Sequence, residues 1–150
     1  MEIQFVRTKS DDSRFLDMCK VLNSSQEQAL PTWTELGKSS TDNLDKFKDV
    51  VLGLIGEKVV ASAGIKYLDG MPTMGRVIVD PNFRGQGIGE KLCLEIENIA
   101  KEKGHKKTRL IVGEYLKPAR VMYEKLGYVE ISREQTHGEN FDITMEKVLV

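Results

Sequence analysis

The chain has 150 residues, of which 40% are hydrophobic and 30% are charged. This composition excludes an extended disordered chain and suffices for one core of ordinary size. The net charge of -1 at pH 7 provides no overall basic field, which argues against general nucleic-acid binding. The first residues lack the apolar segment of a secretion signal, and no apolar run is long enough to cross a membrane. We therefore expect a cytoplasmic protein with no nucleic-acid or membrane partner.

The N-terminal half predicts a strand, a helix and three further strands. Residues 3–7 alternate apolar and polar side chains like a half-buried strand, and apolar residues then recur at helical spacing as far as Leu22. The polar segment 26–40 predicts a short helix or a loop. Three runs rich in β-branched and apolar residues follow it, at 47–53, 59–67 and 74–79.

A glycine-rich stretch separates the last of these strands from a helical pattern. Residues 84–89 read Arg-Gly-Gln-Gly-Ile-Gly. A helix N-terminus carries unpaired N–H groups and about half a positive charge, and glycines let a large anion approach those groups. The stretch therefore predicts a site for a phosphate or pyrophosphate.

Three phosphate-binding patterns compete for this stretch. A dinucleotide fingerprint fails because its third glycine would fall on Glu90, and a P-loop fails because no Gly-Lys-Ser/Thr tripeptide follows. The pattern Arg/Gln-x-x-Gly-x-Gly/Ala fits, with Arg84, Gly87 and Gly89 at its defined positions. From these six residues alone, a glycine-rich turn that merely begins a helix stays open as the alternative.

The C-terminal half continues the alternation of helix and strand. After the glycine stretch, one helical face would bury five apolar residues: Ile88, Leu92, Ile96, Ile99 and Ala100. A strand at 108–112, a helix at 118–126 and an antiparallel pair at 128–131 and 141–145 follow. The whole pattern predicts a mixed α/β sheet with helices on its faces, in a single domain 1–150.

The two cysteines predict reduced thiols and no metal site. Cys19 and Cys93 both fall in helical patterns, and neither has a histidine or a second cysteine at metal-ligand spacing.

A second motif makes a resemblance to a known family specific. Residues 119–128 read Ala-Arg-Val-Met-Tyr-Glu-Lys-Leu-Gly-Tyr. Together with the pattern at 84–89, this resembles the two signatures of the GNAT superfamily of N-acetyltransferases, in the family's order. The resemblance implies the GNAT acyl-CoA N-acyltransferase fold, with a largely antiparallel sheet and a splayed parallel strand pair. One departure is Leu116, where family members often carry asparagine near the pantetheine.

The resemblance also implies acetyl-CoA as acetyl donor, with no metal. Backbone groups of the strand at 77–79 would pair with the pantetheine, and the glycine-rich stretch would hold the pyrophosphate. The implied cofactor contacts are Val77, Ile78, Val79, Arg84, Gly85, Gln86, Gly87, Ile88, Gly89, Glu90, Ala119 and Tyr123.

The implied reaction is direct attack of a primary amine on the thioester in a ternary complex. The Val79 amide would stabilise the oxyanion, and Tyr123 would be the acid to the CoA thiolate. The general base is not assigned, with Glu35, Asp80 and Glu114 open. His105 and His137 are interpreted as structural.

The acceptor would contact the segments 29–35, which includes Trp33, and 136–140. These segments do not identify it, so a small amine, an antibiotic and a protein amine all stay open. A homodimer is consistent with the family analogy. Two other hypotheses remain: a non-catalytic CoA-binding regulatory module of the same fold, and an interaction protein whose glycine stretch is only structural.

Overall fold

The computed structural model describes residues 2–29 and 39–150. Within them lie seven strands and three α-helices, with short 3-10 helices at Leu44–Lys46 and Pro81–Phe83. In order, the strands and α-helices are β1 (Gln4–Thr8), α1 (Ser13–Ala29), β2 (Asp49–Ile55), β3 (Lys58–Leu68), β4 (Met71–Val79), α2 (Ile88–Glu102), β5 (Lys107–Gly113), α3 (Lys117–Lys125), β6 (Val129–His137) and β7 (Asn140–Val148). No helix in these described ranges is long and apolar enough to span a membrane.

The strands form one mixed sheet in the order β1-β2-β3-β4-β5-β7-β6. Every neighbouring pair is antiparallel except β4 and β5, which run parallel. The predicted mixed α/β sheet with one parallel pair is therefore confirmed.

Helices α1 and α2 cover opposite faces of this sheet. Along β2, Val50 and Leu52 belong to the cluster packed against α1, whereas Val51 belongs to the cluster packed against α2. Because successive side chains of a strand point to opposite faces, the two clusters lie on the two sides of the sheet. The five apolar residues predicted to share one face of α2 are all buried there. Both cysteines are buried and free.

The aromatic ring of Phe47 fixes α1 against the middle of the sheet. Phe15 of α1 meets it edge to face, with ring centroids 5.8 Å apart. A Cβ atom built on Gly64 would lie 2.6 Å from the Phe47 ring, and one on Gly75 would lie 3.0 Å from it. The two glycines thus leave the space that the ring fills, so the helix can approach strands β3 and β4 closely.

The parallel strands β4 and β5 are joined over only two residue pairs. Thr73 pairs with Arg109 and Met74 with Leu110, and no pairing follows beyond them. β4 carries a register irregularity at this point, where Arg76 adopts a left-handed conformation with φ of 53°. The bulge turns the rest of β4 away from β5. We call the opening between residues 75–79 of β4 and 111–113 of β5 the seam.

A buried polar cluster ties α2 to the strands at the C-terminal end. Glu97 is 2% exposed, accepts a hydrogen bond from the Tyr128 hydroxyl at 2.9 Å and pairs with Lys147 Nζ at 2.9 Å. The Thr108 hydroxyl lies 2.8 Å from the Tyr128 hydroxyl. Since the Tyr128 proton goes to Glu97, Thr108 is the donor in this contact. Each buried polar group of the cluster is therefore satisfied.

Replacing Lys147 with methionine is expected to destabilise the protein by about 3 kcal/mol, because it leaves the Glu97 carboxylate buried without its cation. Chemical denaturation at neutral pH measures the loss. Lys101→Met is the matched control, because Lys101 is exposed on the last turn of α2. Equal stability of the two variants would show that the Glu97–Lys147 pair does not stabilise the fold.

Candidate functional site

The glycine-rich stretch forms an open helix N-terminus. Gly85 and Gly87 have φ of 79° and 77°, in the left-handed region that favours glycine. Gly87 caps α2 without a side-chain hydrogen bond, and a Cβ atom on either residue would meet nothing within 4 Å. The approach to the start of α2 is therefore open at these two residues, as an anion site at a helix N-terminus requires.

Gly89 brings three elements of the predicted site together. A Cβ atom on it would lie 2.9 Å from Met122 Sδ of α3 and 3.5 Å from Val79 Cγ2 of β4. The end of β4, the start of α2 and the middle of α3 therefore meet at this residue. Ile88 is buried beneath them in the core, so only its backbone is available to a ligand.

The end of β4 presents to the seam backbone groups that do not pair with β3. The Asp80 N–H donates to the Val60 carbonyl on β3 at 2.8 Å. Because backbone direction alternates along a strand, the Val79 N–H and carbonyl point the opposite way, into the seam. Ile78 pairs with Ser62 of β3 and its side chain is 2% exposed. Of the predicted strand residues, the Val79 backbone thus faces the seam and the Ile78 backbone faces β3, whereas Val77 lies in the bulge, where the regular alternation is interrupted.

The Arg84 side chain folds back from the glycine-rich stretch. Its Nε donates to the Val79 carbonyl and its Nη2 donates to Ser25 Oγ on α1, both at 3.1 Å. The guanidinium is thereby held between a strand and a helix. Glu90, in the first turn of α2, lies 3.9 Å from Lys125 of α3.

Tyr123 lies on α3, one helical turn after Ala119. It is 7% exposed, and its ring meets Tyr128 edge to face at 6.0 Å between centroids. Burial, with a smaller contribution from Cys93, raises the pKa of the Tyr123 hydroxyl well above its ordinary value. The hydroxyl therefore keeps its proton across the neutral and mildly alkaline range.

Arg76 belongs to the site although the sequence pattern did not indicate it. Its guanidinium donates to the carbonyls of Ser40 at 2.9 Å and Asp42 at 3.1 Å, and it stacks on Phe47. Burial lowers its pKa. This side chain ties the segment before β2 to the bulge at the beginning of the seam. The available signal was one charged residue inside an otherwise uncharged strand.

A family comparison assigns residues 17–128, well over half of the chain, to the Acetyltransferase (GNAT) family. The chain belongs to the GNAT acetyltransferase family. This membership agrees with the resemblance identified from residues 84–89 and 119–128.

Curated relatives match over a shorter range. The thialysine N-epsilon-acetyltransferase of Bos taurus is 36% identical over 56 residues, which are 37% of this chain and 33% of that protein. The Sus scrofa protein of the same name is 35% identical over 65 residues, or 43% of this chain and 36% of the relative. The match thus spans about a third of the length of these relatives.

Solved GNAT structures share the fold over the whole chain. A Klebsiella pneumoniae protein whose suggested activity is acyl-CoA N-acyltransfer superposes with a TM-score of 0.78 at 23% identity, covering 99% of this chain and 98% of its own. The PaiA N-acetyltransferase of Thermoplasma acidophilum, solved in complex with coenzyme A, gives 0.74 at 18% identity, with 99% of both chains covered. At these identities the likeness establishes the GNAT fold.

Two of the three candidate bases of this GNAT chain, Asp80 and Glu114, lie in the described residues, and both make hydrogen bonds within the fold. Asp80 accepts the Asn82 N–H at 2.9 Å and so caps the turn that follows β4. Glu114 accepts the Phe141 N–H at 3.0 Å and lies 3.7 Å from Arg133. Neither carboxylate stands free in the seam. Glu35 and Trp33 lie outside the described residues.

Leu116 and the two histidines lie at the ends of elements of the GNAT fold. Leu116 begins α3 without a side-chain cap and packs against the main core, so it offers no amide to a ligand. The His105 ring lies 5.3 Å from Tyr67 after the end of α2. Residue 137 ends β6, next to the turn before β7.

Among residues 2–29 and 39–150, no group of three His, Cys, Asp or Glu side chains could hold a metal ion.

Proposed function

We propose that this chain is an N-acetyltransferase that moves the acetyl group of acetyl-CoA to a primary amine by direct attack in a ternary complex. The observation that carries the proposal is the seam, which runs from the β4 bulge to an open helix N-terminus. Acetyl-CoA matches both parts, because its pantetheine arm is an extended chain that carries amides and ends in a pyrophosphate. The seam offers strand-like pairing to its amides, and the helix N-terminus attracts its anion.

The cofactor would contact three groups of residues. The backbones of Val77 and Val79 would pair with the pantetheine, and the loop from Arg84 to Glu90 would hold the pyrophosphate through its amides. Ala119 and Tyr123 on α3 would lie beside the thioester end. Coenzyme A in the Thermoplasma acidophilum structure, and acetyl coenzyme A in a Bacillus anthracis structure of the same fold class, support this choice of ligand.

The Val79 N–H would stabilise the oxyanion when the amine attacks the thioester carbonyl. It faces the seam and makes no pair with β3, so it can donate to the oxygen as negative charge develops there. When the carbon–sulfur bond breaks, the electron pair stays on sulfur as thiolate. The attacking amine nitrogen then carries the extra proton until a base or water removes it.

The Tyr123 hydroxyl would donate a hydrogen bond to that thiolate. A free thiol has a pKa of about 8.5, below the ordinary tyrosine value of about 10, and burial raises the Tyr123 value further. Complete proton transfer from Tyr123 to sulfur is therefore uphill. Hydrogen bonding in the transition state lowers the barrier without that transfer.

The second candidate function is a non-catalytic CoA-binding module. Two observations favour it: Leu116 supplies no polar group beside the pantetheine, and the described candidate bases Asp80 and Glu114 are held by structural partners. The two functions share the cofactor and differ only in acetyl transfer.

Calorimetric titration with acetyl-CoA, followed by a thiol-release assay over a panel of amines, tests the proposal. The panel includes thialysine, because the curated relatives are named for it. We expect micromolar binding and CoA release that depends on an amine. Binding without release for any amine would support the regulatory module, and absence of binding would overturn both functions.

A further inference from the structure

We infer that Arg84 is a positioning residue, which fastens the end of β4 to α1, and that its side chain does not bind the phosphates of the cofactor. The inference rests on the proposed function, since it concerns how the Val79 amide is held for acetyl transfer. The glycine-rich stretch then has two separate roles. Its backbone amides bind the anion, and the Arg84 guanidinium holds the end of β4.

The position of the guanidinium carries this inference. Nε is bonded to the Val79 carbonyl and Nη2 to Ser25 Oγ. Ser25 in turn donates its own proton to the Val21 carbonyl at 3.2 Å, so its oxygen is free to accept from Arg84. Arg84 is exposed and both hydrogen bonds lie at the surface, but for its guanidinium to reach a phosphate it would have to leave both partners.

The contact to Val79 has a chemical consequence for the seam. The Val79 carbonyl and N–H both point into the seam, and Arg84 occupies the carbonyl. Val79 therefore presents a free N–H to a bound molecule, together with a carbonyl on which Arg84 already occupies one of the two lone pairs. The free N–H selects an acceptor oxygen at this position, as a thioester carbonyl supplies.

The contact to Ser25 places α1 across both sides of the seam. Ser25 receives Arg84 from the β4 side, while the neighbouring Gln26 accepts a hydrogen bond from the Tyr115 hydroxyl at 3.1 Å on the β5 side. The last turns of α1 thus connect the end of β4, through Arg84, to the turn that follows β5. Through Arg84, the orientation of Val79 depends on this helix.

Binding measurements with two acetyl donors separate a positioning role from a phosphate contact. Acetyl-CoA carries the phosphates, and acetyl-pantetheine carries the same thioester without them. We expect Arg84→Gln to weaken both ligands by the same factor, about 5- to 10-fold, because the seam itself is disturbed. Titrations followed by NMR give both dissociation constants without an acceptor amine.

The Ser25→Ala variant tests the route through α1. It should weaken both donors about 2- to 3-fold, and the double variant should bind no worse than Arg84→Gln alone, because the two residues form one contact. Ser24→Ala is the matched control, because the Ser24 hydroxyl makes the same bond to the carbonyl four residues earlier, that of Lys20. We expect it to bind like the wild type.

Three results would overturn the inference while leaving the proposed function intact. They are a loss confined to acetyl-CoA in Arg84→Gln, unchanged binding of both donors in that variant, and additive losses in the double variant. If the wild type bound neither donor, the proposed function would fail as well.

Discussion

Gly87→Glu is expected to weaken acetyl-CoA binding by at least about 100-fold, close to complete loss in a calorimetric titration. The substitution places a carboxylate at the N-terminus of α2, where the proposed pyrophosphate binds, and two negative charges repel each other strongly there. It also fills the open space through which an anion reaches the first N–H groups of the helix.

Gly70→Glu is the matched control for backbone strain and charge. Gly70 has the same φ of 77° and the same open surroundings, but it lies in the turn between β3 and β4. Both substitutions put an L-residue in the left-handed region, which costs about 1–2 kcal/mol. Unimpaired binding by Gly87→Glu, or equal losses in both variants, would contradict an anion site at α2.

Tyr123→Phe is expected to lower kcat about 100-fold with any amine that the release assay identifies, while the dissociation constant for acetyl-CoA stays unchanged. The hydroxyl would act only when negative charge develops on sulfur, so its loss affects the transition state and leaves the ground state alone. Because burial raises the Tyr123 pKa, its ionisation should cause no fall in rate up to about pH 10. Parallel binding and steady-state measurements over this pH range check both points.

Tyr128→Phe separates this effect from a loss of packing. Its hydroxyl bonds Glu97 and Thr108, so its removal should reduce the free energy of unfolding by about 1–3 kcal/mol. We expect Tyr123→Phe to keep nearly wild-type stability. A normal rate in Tyr123→Phe would remove the hydroxyl from the mechanism. Equal loss of stability in both variants would show that the Tyr123 hydroxyl stabilises the fold, as the Tyr128 hydroxyl does.

The sequence predicts those elements in which buried and exposed side chains follow a regular spacing. Helix α2 is the clearest case, because its apolar residues recur at helical spacing and all lie against the sheet. β6 is predicted to end at residue 131 but continues to His137. The residues that follow Ile131 are polar, and those described are exposed on this edge strand, so no alternation of apolar and polar side chains marks its extent.

The parts of the fold and of the site that escaped prediction depend on contacts distant in sequence. Glu97 looks like a surface residue of an amphipathic helix, and only its contacts with Tyr128 and Lys147 explain its burial. Arg76 adopts a conformation that glycine or asparagine usually signals, and carbonyls more than thirty residues earlier hold its guanidinium. The orientation of the Arg84 side chain likewise depends on its hydrogen bond to Ser25.

The short pairing between β4 and β5 also has a thermodynamic consequence. It divides the sheet into four N-terminal and three C-terminal strands, which share only two bridged residue pairs. Helix α2 adds a second link between these halves, because it packs on β2, β3 and β4 and also contacts β5. A molecule laid along the seam would supply main-chain hydrogen bonds that the sheet itself lacks. The cofactor would then raise the melting temperature of the whole domain, as an eighth strand would.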